Sequence, residues 1–516
     1  MADPSVSRVV RSSLNFVASS ATSIVATLAA FVATPFVLHG LGAERLGAFR
    51  AATEWAGYLA LLDAGLLAAL APLIARAAAT GDRDSLRNVL AAGVRAYLHV
   101  ALWTLLAGIV LWTFLPGLIR LPPELNGELR LGFAFAVAAL VFIPLNVYRA
   151  LAEALQKQYL VSALLCVQLI ATTAGCVVAA EAGWGLPGQF GAAAAGTLIL
   201  PFGLLLLFRG VAQPGALIAH APGTGDEGRQ LRKLNRTTLA YQLFGRLSLL
   251  SDNIIVGLFL GPAAVASFFL TTRLPQAAVG QVLAIGNATW AGLAELYHSG
   301  QHDIFRARLI QLTRFTAILG GALIVPLAVL TAPFVSLWIG PLHFAGSCVV
   351  LLAVFNGILL PIFSLWGWVF SGLGRIGLIL PYAIAEGILS IGASLTATWW
   401  VGISGPLIGA ALINLFYRPW WITRLLRREF AVSTRDLLLA ATLPILPALL
   451  IVAGLDAGYA IAPAVSWTRL ICEFGGSAAL YFVVAWHAVL GDDERATFRR
   501  LFENMYANAT RKLVVN

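Results

Sequence analysis

Residues 246–276, RLSLLSDNIIVGLFLGPAAVASFFLTTRLPQ, decide how this chain is read. Two long apolar runs meet at the tight turn Leu260-Gly261-Pro262. Arg246, Asp252 and Arg273 sit inside those runs. An ionisable side chain at membrane depth is costly and marks a functional position by default. At about 1.5 Å per helical residue, Asp252 lies roughly 13 Å and Arg273 roughly 18 Å from the turn. Arg246 reaches a similar depth from the other end of its run.

The rest of the chain supports that reading. Of its 516 residues, 59% are hydrophobic and 11% charged, with a mean hydropathy of +0.85. Soluble domains are about a quarter charged, so this is an integral membrane protein. The net charge of +10 resides in short basic clusters between apolar runs. That is the positive-inside bias of a membrane protein rather than a nucleic-acid surface. The only lysines are Lys157, Lys233 and Lys512, and none follows a glycine. A phosphate-binding loop ending Gly-Lys-Ser/Thr is therefore absent. Cys166, Cys176, Cys348 and Cys472 lie in apolar runs without metal spacing, and read as buried thiols. His298 and His302, in HSGQH, flank a glycine and read as a loop rather than a metal site. No cofactor or metal is expected.

A span needs about 20 apolar residues, and fourteen runs qualify. Six lie at 14–38, 47–75, 93–115, 130–152, 159–181 and 187–208. Six more lie at 237–260, 263–294, 309–336, 345–371, 377–400 and 403–424, and two follow at 436–454 and 469–490. The first run is too long for a cleaved signal core and is expected to be retained. With the N-terminus cytoplasmic, the inner segments collect most Lys and Arg, such as Arg83 and Arg87, Arg306 and Arg308, and the group Arg418, Arg424, Arg427, Arg428 and Arg435. The outer segments hold only Arg45, Arg120, Arg130 and Arg469. Both termini are thus expected in the cytoplasm.

The second half repeats the first. Leu41-Gly42 precedes the second span as Leu260-Gly261 precedes the eighth, 219 residues later. LPGLIRLP (115–122) corresponds to APFVSLWIGP (332–341), ALQKQYLVSAL (154–164) to SGLGRIGLILP (371–381), and GLPGQFGAAAAGTLI (185–199) to GISGPLIGAALINLF (402–416). An even number of spans per copy keeps the copies parallel. The expected fold is an all-α polytopic membrane protein of about 14 transmembrane helices, with two parallel six-helix lobes plus two C-terminal helices. Its parts are an N-terminal lobe (1–209), a cytoplasmic linker (210–236), a C-terminal lobe (237–428), two additional helices (429–491) and a cytoplasmic tail (492–516). Two parallel lobes are a transporter architecture, with the substrate near the midplane between them.

Arg50 and Glu54 share a helix face in the second span. Glu54 aligns with Arg273 at the offset of 219. Arginine suits phosphate because its planar fork donates two hydrogen bonds and stays charged. Arg50, Arg246 and Arg273, with the polar Gln276, are therefore candidates to bind an anionic substrate. Glu54, Asp63 and Asp252 are candidates to couple transport to a proton or sodium gradient. Each of these charges has an alternative role as one half of a structural salt bridge.

Asn15, TPF at 34–36, LGAERLGAFR and LLDAGL at 61–66 then form a series with SDNIIVGLFLG, SFFLTTRL and FVSLWIG in the second half. Together they resemble the polysaccharide transporter family of the multidrug/oligosaccharidyl-lipid/polysaccharide superfamily, above all its O-antigen and exopolysaccharide flippases. The resemblance spans essentially the whole chain. It implies a flippase that moves an undecaprenyl-pyrophosphate-linked oligosaccharide across the bacterial inner membrane by alternating access, for polysaccharide or lipopolysaccharide biosynthesis. It places Arg50 and Arg273 where related flippases have cavity arginines, and Asp63 and Asp252 in two of the family's motifs. It implies membrane lipids and the lipid-linked oligosaccharide as partners, with a polysaccharide polymerase and chain-length regulator alongside. A peptidoglycan-precursor flippase or a drug exporter are the alternatives of the same class. A membrane-bound glycan polymerase or ligase is the alternative enzyme, and no outer loop here is long enough to carry its catalytic residues.

Overall fold

The computed structural model describes residues 4–60, 64–79, 83–210, 252–461, 466–491 and 495. The described residues are overwhelmingly helical and contain no strand. They divide into two compact units, Met1–Phe269 with Leu380–Gly409, and Leu270–Ile379 with Ala410–Asn516.

In chain order the helices are α1 (Pro4–Ala60), α2 (Ala64–Ala79), α3 (Arg83–Leu118), α4 (Asn126–Ala139), α5 (Val147–Ala154), α6 (Gln158–Glu181), α7 (Gly185–Thr197) and α8 (Ile199–Phe208). Then come α9 (Asp252–Leu260), α10 (Pro262–His298), α11 (His302–Leu323), α12 (Leu327–Ile339), α13 (Ser347–Gly372) and α14 (Ile376–Val401). The last are α15 (Gly405–Leu412), α16 (Arg418–Phe430), α17 (Thr434–Thr442), α18 (Ile445–Ile461) and α19 (Trp467–Ala488). Nine stretches of the described residues are long and apolar enough to cross a membrane, or ten if α11 and α12 count as one span bent by 41°. Two of the nine, Val25–Leu59 and Ile376–Phe430, each run across two of the apolar runs in the sequence. The linker from 211 and the seventh run up to 251 lie outside the described residues, as does the tail apart from Arg495.

Specific residues break these long helices. Gly42 lies inside α1 at φ 79, ψ 167, so α1 is two helices joined at a glycine that alone adopts this conformation freely. Pro326 stands between α11 and α12, where a missing N–H and a bulky ring explain the bend. A π-helical segment, Ile413–Tyr417, leads into α16, whose Pro419 removes one backbone donor.

The internal repeat is visible in the backbone. Residues with left-handed φ recur in pairs: Gly42 (79°) with Gly261 (81°), Gln156 (59°) with Gly374 (68°), and Gly185 (56°) with Gly402 (75°). The separations are 219, 218 and 217 residues, matching the sequence offsets. The cap at Gln156 is a Schellman motif, with Lys157 N–H donating to Ala152 O and Gln156 N–H to Glu153 O. Arg375 N–H to Phe370 O and Gly374 N–H to Ser371 O repeat it, residue for residue, 218 positions on. The basic residue after each cap then lies over a phenylalanine ring. Lys157 Nζ is 5.2 Å from the Phe208 centroid, and the Arg375 guanidinium is 5.6 Å from that of Phe430. Gln156 carries a side chain where its counterpart is glycine, which costs about 1 kcal/mol in this backbone region. Gln156→Gly should therefore raise stability by up to about 1 kcal/mol, and Gly374→Gln should lower it by a similar amount, in thermal unfolding of the purified protein.

Helix pairs close on small residues, as expected where lipid supplies no hydrophobic drive between helices. A Cβ on Gly188 would lie 2.9 Å from Ala179 Cβ, and one on Gly405 would lie 2.2 Å from the Thr398 backbone. These approaches join α6 to α7 and α14 to α15, the corresponding pairs of the two halves. Larger side chains fill the remainder. Leu70, Ile74, Tyr97, Tyr148 and Leu151 are fully buried in the first unit. Val282, Ala322, Val350 and Tyr481 form part of a core in the second.

The cysteines depart from expectation. Cys348 and Cys472 are exposed, and Cys166 and Cys176 are partly exposed. An apolar run does not distinguish a side chain facing protein from one facing lipid.

Candidate functional site

The segment of α1 after Gly42 is built to lie close to α9 and α10. Gly47 is where they approach most tightly: a Cβ there would fall 1.7 Å from Pro262 O. Leu46, Ala48, Ala51 and Ala52 are buried around it. Small residues at 47, 48, 51 and 52 are what let two backbones meet. Once they do, the polar residues one turn further along α1 come within reach of α9.

Glu54 accepts a hydrogen bond from Asn253 Nδ2 on α9. Asn253 is buried and follows Asp252, the first residue of that helix. Glu54 Oε2, Asn253 Oδ1 and Trp55 Nε1 are buried atoms with no hydrogen-bond partner among the described residues. The Glu54–Asn253 pair therefore has hydrogen-bonding capacity left. It brings together two of the candidate coupling positions, Glu54 and Asp252. The third, Asp63, lies outside the described residues.

Arg50 stands one turn before Glu54. Its guanidinium lies 4.2 Å from the Phe269 ring centroid and 5.8 Å from that of Phe49. Phe49 packs edge-on against Phe190 at 4.9 Å, and Phe190 against Phe133 at 5.9 Å. The arginine is thus steered by an aromatic frame drawn from α1, α4, α7 and α10. A guanidinium against a ring keeps its charge, and its planar fork of N–H donors suits a flat or tetrahedral oxyanion. The aromatic frame was not legible in the sequence. The rings come from helices far apart in the chain, and phenylalanine is common in every span.

Arg273 and Gln276 lie further along α10. Arg273 is partly buried and Gln276 exposed, with Gln276 Nε2 donating to Thr272 Oγ1 at 3.4 Å. Thr271 fixes this turn of α10 by accepting from Ala345 N–H at 2.8 Å. Arg246 lies outside the described residues.

A second cluster holds the ends of the helices on the Gly42 side. Arg45 donates to Glu128 through Nε at 2.9 Å and Nη2 at 2.7 Å, a two-pronged pair between α1 and α4. Glu128 also accepts from Leu186 N–H on α7 at 3.4 Å. Arg120 Nη1 donates to Phe259 O on α9 at 2.9 Å. In the sequence Arg45 and Arg120 are simply charges of the outer segments. The structure gives both of them specific partners.

Among the described residues no group of three or more His, Cys, Asp or Glu could hold a metal ion. His302 instead packs its ring 4.8 Å from Tyr297.

No protein-family model and no curated protein sequence matches the chain. Solved structures do. One is a multidrug-resistance MATE transporter of the MOP superfamily, inward-facing, with a TM-score of 0.61 and 17% identity over 80% of this chain and 99% of that one. Another is the lipid II flippase MurJ in an inward closed conformation, with a TM-score of 0.69 and 12% identity over 92% and 98%. A mutant of the Vibrio cholerae MATE transporter VcmN aligns at a TM-score of 0.55 and 18% identity, over 81% and 98%. These neighbours are transporters and flippases, not enzymes. The chain has the fold shared by these MATE transporters and MurJ, and is a multi-pass helical membrane protein.

Proposed function

We propose that this protein is a flippase for an undecaprenyl-pyrophosphate-linked oligosaccharide in the bacterial inner membrane, with both termini in the cytoplasm. The observation that carries the reading is Arg50, an arginine inside an apolar span and held against Phe269. Arginine at that depth suits a pyrophosphate, and Arg273 supplies a second such group on α10. Arg246 and Gln276 join them as substrate-binding residues. The two six-helix lobes rock to expose the headgroup to either side, while the lipid tail stays in the bilayer. Glu54 with Asn253 and Asp252 takes up the coupling proton or sodium ion, and Asp63 belongs to the same path. The sugar enters from glycosyltransferases on the inner face and leaves to a polymerase and its chain-length regulator on the outer face.

An ion-coupled drug exporter is a second reading. The embedded carboxylate Glu54 favours it, since an acidic cavity attracts cationic drugs. One experiment separates the two. Purified protein is reconstituted in vesicles containing a prenyl-pyrophosphate oligosaccharide, and a sugar-specific lectin is added outside. Protein-dependent exposure of sugar to the lectin is expected. No exposure, with uptake of a fluorescent cationic drug by the same vesicles, would replace the flippase with the exporter.

A further inference from the structure

At the corner between α16 and α17 the chain forms an open surface cavity of about 670 Å³, with Arg427 and Arg435 exposed at it. Its polar wall is Arg427, Ser433, Thr434 and Arg435, and Leu438 and Leu439 line its apolar side. The corner is made by Ala431, which ends α16 in a left-handed conformation with its N–H bonded to Arg427 O at 3.1 Å. The chain then reverses, and Ser433 Oγ caps α17 by accepting from Asp436 N–H at 3.3 Å. Arg427 in the last turn of one helix is thereby brought to the same cavity as Arg435 in the first turn of the next.

Two arginines sharing a cavity repel, and Arg435 stands at the positive end of its helix, where a cation is unfavourable. Asp436, next to Arg435 in the first turn of α17, is exposed and forms no ion pair with either arginine among the described residues. Glu429 is engaged by Arg375 at 3.3 Å and by Arg428 at 3.6 Å. Neither Arg427 nor Arg435 forms an ion pair among the described residues. Leu438 and Leu439 of the lining, and Leu443, Leu446 and Leu450 beyond it, are exposed along α17 and α18. α17 and most of α18 lie in a stretch, Thr434–Tyr459, that is apolar enough to cross a membrane. The cavity thus has a cationic head and a greasy flank.

We propose that this corner binds the phosphate of an anionic phospholipid, with its acyl chains along α17 and α18. The two guanidinium forks donate to the phosphate oxygens, as paired arginines do. Basic pockets between membrane helices on the cytoplasmic side are suited to this chemistry. The proposal stands whatever the transported substrate is. The lipid is a resident ligand at the edge of the second unit, and Arg50 and Arg273 play no part in it.

The test uses the full chain, delipidated in detergent, with thermal unfolding followed as lipid is added. Phosphatidylglycerol should stabilise the protein. Phosphatidylcholine, with matched acyl chains, and inorganic phosphate should not. In the variant Arg427→Gln/Arg435→Gln the apparent affinity for phosphatidylglycerol should fall about thirtyfold, equivalent to about 2 kcal/mol shared by two basic residues at the membrane surface. The variant Arg424→Gln/Arg428→Gln removes the same charge from the same helix outside the cavity, and should bind like the parent. Equal weakening in both variants would overturn the site in favour of diffuse attraction. Stabilisation by inorganic phosphate equal to that by phosphatidylglycerol would overturn the lipid assignment. Equal stabilisation by phosphatidylcholine would overturn the role of the two arginines. Native mass spectrometry of each variant, reading bound phosphatidylglycerol directly, decides the matter if a variant's unfolding is too broad to fit.

Discussion

Arg273→Ala, inserted and folded, should expose lipid-linked oligosaccharide on the far side of a vesicle at least about tenfold more slowly than the parent. A hydrogen bond to a charged group contributes about 1.5–3 kcal/mol, which is tenfold to a hundredfold in rate if it acts at the barrier. Arg273→Lys should fall between the two, because lysine keeps the charge but lacks the fork that grips two phosphate oxygens. The order parent, lysine, alanine is the signature of phosphate recognition. A merely structural arginine would give no such gradation among folded variants. The measurement is the initial rate of lectin-accessible sugar, normalised to inserted protein. An alanine variant as fast as the parent would remove Arg273 from the substrate path.

The second large effect is at Gly47. An alanine Cβ there would sit 1.7 Å from Pro262 O and 2.6 Å from Pro262 C. Both are backbone atoms at the start of α10, so no side chain can turn aside, and the helices must separate. We expect Gly47→Ala to cost about 3 kcal/mol, the upper range for an overpacked site. Gly257 is the control. A Cβ there would meet Val265 Cγ2 at 3.4 Å and Ala51 Cβ at 3.6 Å, both ordinary van der Waals separations. Gly257→Ala should therefore be neutral or slightly stabilising, since alanine favours the helix. Thermal unfolding of the two variants side by side reads the difference. Equal melting temperatures would show that α1 and α10 are not held as closely as Gly47 and Pro262 indicate.

Much of this was legible in the sequence because membrane helices announce themselves. An apolar run long enough to cross a bilayer is rare in a soluble chain. The turn glycines marked the repeat, and their backbone conformations follow it: Gly42 and Gly261 are both left-handed, at matching places. The finer shape of the helices was less legible. The run at 309–336 reads as one span, yet it bends at Pro326, and the run at 130–152 passes through a 3-10 segment at Leu140–Asn146. A proline in an apolar run signals a kink but not its size. The site was legible only in part. Arg50, Glu54 and Asp252 stood out because charge is rare in spans. That Glu54 would face Asn253, and Arg50 would lie over Phe269, depends on helix rotation and packing. The Arg45–Glu128 pair is separated by 83 residues, and no local pattern links them.

The duplicated turns have one more consequence. The chain is in effect an alignment of two sequences threaded through one backbone, each half a record of what the other tolerates. Gln156 and Gly374 hold the same cap with different residues, and Lys157 and Arg375 stack on a ring in the same way with different cations. What the duplication has kept at these points is backbone shape and charge, not residue identity. Exchanging short segments between the halves therefore offers a way to vary side chains while leaving the scaffold as it is.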